Sequence, residues 1–265
     1  MASPKQEKRE SSRDGIAGKT SVFSGKRALV AGGSGGIGRA ICELLATRGC
    51  SVIVHGRDPE KVDRFVGELG SSARGFALDI KSPSAFLKKA AEYGEVDILV
   101  VAFGPFVHKP LSSHTSEEWE QLALLDLALP GAAASFYLPG MRARGWGRIL
   151  LFGGTRTDSI RGFSSNAAYA AAKTGVGVVA KSIALEYAGE NVAAVAVCPG
   201  LVETEYQSAS TKRSMKSMAP GGKLLTPERV ARAALDLLDA DHCLASGAVV
   251  SLDAGFDPGR SKGAV

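Results

Sequence analysis

Short apolar runs, several rich in β-branched residues, recur at residues 28–31, 51–55, 75–78, 98–102, 149–152, 192–197 and 249–252. Most are apolar without alternation, as a strand covered on both faces must be. The stretches between them are long enough for crossover helices, and 39–47, 59–69 and 166–188 carry helical patterns. Seven strands alternating with helices predict a single α/β domain, a parallel doubly wound sheet with helices on both faces. Such a sheet places its ligand at the carboxyl ends of the strands, where the strand order reverses. Residues 205–225, rich in Ser, Met, Lys and Gly, break the pattern and read as a mobile lid. Residues 1–24 read as a flexible tail, leaving 25–265 as the folded domain.

Composition narrows the class. Apolar residues make up 45% and charged residues 22% of the chain, which suits a soluble globular protein and not a disordered or fibrous one. The tail lacks the apolar core of a secretory signal, and Glu7, Glu10 and Asp14 weigh against a transit peptide. No apolar run approaches the ~18 residues needed to cross a bilayer, so no membrane role is expected. The net charge is +5, but no stripe of Lys and Arg with interleaved aromatics accompanies it, so no nucleic-acid partner is expected. The four cysteines, Cys42, Cys50, Cys198 and Cys243, lack the paired spacing of a zinc site or a disulfide framework. They point to reduced thiols in a cytoplasm, with no metal centre.

The first chemical signal is Ala31-Gly32-Gly33-Ser34-Gly35-Gly36-Ile37-Gly38, between an apolar strand and a helical pattern. Glycines at 32, 36 and 38 let the backbone turn, approach a pyrophosphate and pack the helix on the sheet. The free N–H groups of the helix start face the anion. An ordinary turn is the alternative. At the end of the second strand Gly56 stands where an NAD-reading carboxylate is expected, and Arg57, with Arg39, can pair with a 2′-phosphate. That favours NADP over NAD. Asp58, followed by Pro59, reads as a helix N-cap or as the displaced carboxylate.

The second signal is Tyr169 and Lys173, one helical turn apart. On one face, the ammonium can stabilise a phenolate and bring a pKa of about 10 toward neutrality, which suits acid–base work. With the glycine loop upstream, the chain resembles the short-chain dehydrogenase/reductase family over residues 23–256. Asp79 with Ile80 after the third strand, Gly104 after the fourth, Pro199-Gly200 with Val202 and Thr204, and Leu252-Asp253-Ala254-Gly255 extend the likeness. The resemblance implies a seven-stranded Rossmann sheet, a homodimer or homotetramer, and NAD(P)(H)-linked interconversion of a carbonyl and an alcohol. Tyr169 would be the acid–base group, and Lys173 would also hold the cofactor ribose.

Three departures stand out. The family's Asn-Asn-Ala-Gly is Val101-Ala102-Phe103-Gly104 here. Asp126 stands where the family has an Asn in the long fourth helix; it can ion-pair with Lys173 or accept from water, but cannot donate while ionised. Gly154 aligns with the catalytic Ser, and Thr155, fourteen residues before Tyr169, can supply the hydroxyl if the strand end shifts by one. Otherwise no hydroxyl is there, with Ser159, Ser164 and Ser165 as further candidates. Lys212, Arg213, Lys216 and Lys223 can attract an anionic handle such as that of a 3-oxoacyl thioester, or are simply solvated. The expected function is NADP(H)-dependent reduction of such a thioester or another hydrophobic ketone. The alternative is a cofactor-binding protein of the same fold without efficient turnover.

Overall fold

The computed structural model describes residues 21–256. Seven strands, β1 (Arg27–Ala31), β2 (Ser51–Gly56), β3 (Ala73–Ala77), β4 (Ile98–Val101), β5 (Gly147–Phe152), β6 (Val192–Pro199) and β7 (Val249–Leu252), form one parallel sheet. Its order is β3-β2-β1-β4-β5-β6-β7, so the direction of winding reverses between β1 and β4. Every residue of β4, β5 and β6 is buried, which accounts for their apolar runs, broken only by Arg148 in β5. β3 starts two residues before the predicted run, because at the sheet edge it can carry the exposed Arg74.

On one face, α1 (Gly36–Thr47), α2 (Pro59–Leu69) and α8 (Pro227–Asp236) pack through Ile41, Leu45, Phe65, Val230 and Leu235. On the other, α3 (Pro83–Ala91), α5 (Leu129–Ala143) and α6 (Ala167–Tyr187) pack through Phe86, Leu129, Ala133, Val176 and Ile183. α4 (Ser116–Ala123) runs into α5 through one π-helical turn, Leu124–Ala128. The resulting helix, Ser116–Ala143, is the one described helix long and apolar enough to cross a membrane, and half of its most apolar window is buried in the protein. Its apolar content supplies the face packed on the sheet.

The tail expectation falls outside the described residues up to residue 20. Residues 21–24 belong to the fold, a correction of the boundary: Phe23 is fully buried and Ser21 Oγ bonds the Asp239 carboxylate at 3.0 Å. One aromatic in a short polar segment gives no periodicity from which that burial could be read. The predicted lid also differs from a structureless loop. It contains α7 (Ala209–Met218) and a short turn at Pro220–Gly222, and a parallel bridge between Val202 and Leu225 closes its base.

Candidate active site

β1 ends in a loop that must reverse at once into α1. Gly32 has φ +81°, a conformation disfavoured for other residues. Gly38 carries no Cβ because one would collide with the Gly32 carbonyl, so α1 packs directly on the loop. Gly35, the N-cap, offers no side chain, and the first turn of α1 has no acidic residue. The open N–H groups and the helix dipole therefore favour an anion from elsewhere. Glu205 supplies one: its Oε1 accepts from the Gly36 N–H at 3.0 Å, across 169 residues of chain. Beside it Tyr206 fills the space that a side chain at Gly35 would need. His55 supports the loop from below, its Nδ1 accepting from Gly32 N–H at 3.2 Å and its Nε2 donating to Leu78 O at 3.0 Å. Burial lowers its pKa, which favours this neutral form.

A cleft of about 1030 Å³ opens over the loop at the carboxyl ends of β1, β2 and β4. Gly32, Ser34, Gly35, Gly36, Ile37, Arg57, Asp79, Ile80, Gly104 and Thr204, all expected at a dinucleotide, line it. The donors of the helix start fit a dinucleotide's pyrophosphate once the Glu205 carboxylate and the Tyr206 ring, which occupy the Gly36 N–H and the space at Gly35, move aside. Other expected residues lie elsewhere. Gly38 serves helix packing, Val202 is buried and bridged to Leu225, and Gly200 packs on Asp253. Pro199 ends β6 and its carbonyl accepts from Thr155.

At the second strand's end Ser34 fills the space beside Gly56, and Asp58 caps α2 by accepting from Lys61 N–H at 3.2 Å. Arg57 and Lys61 line the cleft. Arg39 does not join Arg57: it pairs with Glu43 and Glu68 and stacks on Phe65, 4.1 Å from the ring centroid. On α1, the side chains one turn away and on the facing α2 captured it first.

Tyr169 and Lys173 lie on the first two turns of α6, as their spacing predicts, and the ammonium is paired with a carboxylate. Lys173 Nζ lies 3.0 Å from Asp126 Oδ1 and 5.9 Å from the centroid of the Tyr169 ring. Both charged side chains are buried. Burial raises the pKa of Asp126 to about 6 against the opposing pull of Lys173. Burial, then the charge of Asp126, then Cys198 push the Tyr169 phenol upward. Burial therefore outweighs the expected acidification of the phenol by Lys173, and the Asp126 carboxylate adds to it.

Thr155 Oγ1 donates to Pro199 O at 2.9 Å, so its single proton is engaged with the main chain and is not free for a substrate oxygen. Thr157 Oγ1, also buried, accepts from Gly154 N–H and donates to Gly154 O. Ser165 bonds the ring of His108 and Ser159 is held by Arg161. At Gly154 the Tyr169 ring itself occupies the side-chain space, since a Cβ there would meet Cε1 at 2.6 Å. Phe106 stands edge-on to the same ring, with centroids 5.0 Å apart.

Sequence reasoning missed Glu205, Tyr206, Lys61 and the support from His55. A carboxylate just after Thr204 was the one available signal for the first, and it carries no mark of the loop it folds onto. Among the described residues no group of three or more His, Cys, Asp or Glu side chains is arranged to hold a metal.

Comparison with known proteins adds to this geometry. The sequence profile of the short chain dehydrogenase family matches residues 26–214. The chain is 31% identical over 241 residues to the 3-oxoacyl-(acyl-carrier-protein) reductase FabG of Escherichia coli (strain K12), covering 88% of this chain and 98% of that protein. It is 29% identical over 255 residues to the D-beta-hydroxybutyrate dehydrogenase of Rhizobium meliloti (strain 1021), covering 87% and 98%. Among solved structures, a 3-oxoacyl (acyl-carrier-protein) reductase from Agrobacterium tumefaciens C58 with NADP bound superposes with a TM-score of 0.78 at 30% identity, covering 88% of this chain and 95% of that one.

Proposed function

Because the chain belongs to the short chain dehydrogenase family, a family of oxidoreductases, we propose that it is an NADP(H)-dependent enzyme interconverting a carbonyl and a secondary alcohol. Its substrate is a hydrophobic ketone or a 3-oxoacyl thioester. The observation that carries this reading is the contact of Lys173, one helical turn after Tyr169, with the glycine-loop cleft: its Nζ donates to Phe103 O at 3.5 Å and stands beside Gly104, both of which line the cleft, although Tyr169 itself does not. Arg57 and Lys61 on the cleft support a 2′-phosphate, and Phe106 over the Tyr169 ring supports an apolar substrate. The names of the FabG relatives support the thioester.

When bound, the reduced dinucleotide supplies a hydride to the carbonyl carbon. The N–H groups at Gly35–Ile37 would hold its pyrophosphate, Arg57 its 2′-phosphate and Asp79 its adenosine end. Tyr169 gives its phenolic proton to the carbonyl oxygen, so that a C–H and an O–H bond form as the C=O π bond breaks. The phenolate left behind takes a proton from water. Lys173, held by Asp126, stands at the base of the site. A cytoplasmic homodimer or homotetramer without nucleic-acid or membrane partners belongs to the same proposal. The four unpaired cysteines and the exposed Phe136, Val178 and Leu185 on α5 and α6 support it.

Replacing Tyr169 by Phe is expected to lower NADPH-dependent turnover on a carbonyl panel that includes acetoacetyl thioesters by at least ~10²-fold. An unchanged rate rejects the assignment. The second reading, cofactor binding without efficient turnover, is favoured by the engaged Thr155 hydroxyl and by Glu205 on the loop. NADPH binding with no oxidation across the panel supports it.

A further inference from the structure

We infer that Asp126 is a positioning residue that keeps the Tyr169 phenol in its proton-donating form by pairing with the Lys173 ammonium and so cancelling the charge that would favour the phenolate; this rests on Tyr169 being the proton donor. The spacing of Tyr169 and Lys173 by itself would leave the ammonium as the charge nearest the phenol. In the structure that ammonium is 3.0 Å from Asp126 Oδ1, and its other polar contact is the Phe103 carbonyl at 3.5 Å. Asp126 is completely buried, and beyond the Lys173 ammonium neither of its oxygens has a polar partner among the described residues. The lysine is therefore its counter-charge, in a setting where little water screens the pair.

The socket for the carboxylate is built from three elements. The π-helical turn carries Asp126, α6 brings Lys173, and after β4 the chain has Gly104, where any Cβ would overlap Oδ1. The titratable or charged groups that face the phenol are Lys173 from its own helix, Asp126 from the π turn and the Cys198 thiol from β6. The β5 end and the loop after β4 present Gly154 and Phe106, which carry no charge. A lone ammonium would favour the phenolate. One neutralised at 3.0 Å does not, and the carboxylate facing the phenol opposes ionisation, in line with the upward push on Tyr169. Burial comes first in holding Tyr169 protonated, and Asp in place of the neutral Asn of the resembling family extends that acid form further into alkaline pH.

The test uses the full chain without cofactor, labelled with 13Cζ-tyrosine and titrated by NMR, the Tyr169 resonance being assigned with Tyr169→Phe. In the wild type this resonance is expected to keep its protonated shift to pH 11. In Asp126→Asn the amide still accepts from Lys173 while the opposing charge is gone, and the phenol should begin to ionise below pH 11, its curve moved down by at least about one unit. Adding Lys173→Met to Asp126→Asn should cancel that shift, which loosened packing alone would not predict. If the amide variant does not fold, Asp126→Ser carries the same expectation. Coincident curves for wild type and variant up to pH 11, or an upward shift, overturn the inference. Full turnover in Tyr169→Phe would instead remove the proton-donor role, leaving the titration as a separate result on what governs the phenol.

Discussion

Replacing Gly154 by Ser supplies the side chain that related sequences lead one to expect at the end of β5, and the structure predicts that it harms this enzyme. A Cβ at Gly154 would lie 2.6 Å from Cε1 and 2.8 Å from the hydroxyl oxygen of Tyr169. Carbon atoms rest at about 3.5 Å, so the ring must retreat by roughly 0.9 Å. It can do so where it meets Phe106, which is 58% exposed and free to yield. Folding stability should therefore change by only about 1 kcal/mol, within the ordinary range for point substitutions. The phenol, however, leaves the position from which it reaches the carbonyl oxygen, and a displacement near 1 Å costs about 10²-fold in rate. The assay is turnover at saturating NADPH and carbonyl substrate, paired with a thermal melt. Gly154→Ala is the control, since it adds the same Cβ without the hydroxyl, and both variants should lose activity alike. Ser turnover at or above the wild-type level, with Ala alone impaired, would refute the reasoning and show that the site lacks a hydroxyl, not space.

Removing the charge of Glu205 should free the α1 N-terminus for the cofactor. Glu205→Gln is expected to tighten NADPH binding about 2- to 5-fold, from the ~0.3–1 kcal/mol of an anion at a helix start. Fluorescence titration reads it, and unchanged or weaker binding would count against competition between the carboxylate and the pyrophosphate. Arg57→Ser should weaken NADPH at least about 10-fold while leaving NADH nearly unchanged, as loss of a charge-assisted phosphate contact requires. Equal losses for both cofactors would place Arg57 outside the 2′-phosphate site. Arg148 is fully buried in β5 and donates to the carbonyls of Gly147, Asn191, Leu238, Ala240 and Asp241. Arg148→Met removes the guanidinium from all five, of which Asn191 O and Leu238 O keep a backbone N–H, and should cost at least about 3 kcal/mol in urea unfolding, with Arg148→Lys between the two. A loss under about 1 kcal/mol would mean that water or relaxation replaces the guanidinium.

The alternation of strand and helix was legible because it depends on local period: continuous apolar runs for β1, β4, β5 and β6, and a glycine loop entering α1. Asp58 with Pro59 at the start of α2, and Tyr169 with Lys173 on one face of α6, were legible for the same reason, each being a rule about neighbours within a turn. The sequence also limited the chemistry, since a phenol, a lysine and a phosphate-sized loop in that order suit few reactions. What stands opposite each of these groups came only with the fold. Glu205 reaches Gly36 across 169 residues, Asp126 takes the lysine that spacing had assigned to the phenol, and Pro199 takes the Thr155 proton. Arg148 reads as a polar break in an apolar strand until the carbonyls around it are seen. Local sequence sets which way a side chain leaves its helix or strand. Hydrogen bonds and ion pairs are completed by the nearest partner in space, and that partner depends on how the strands are ordered and the crossovers packed.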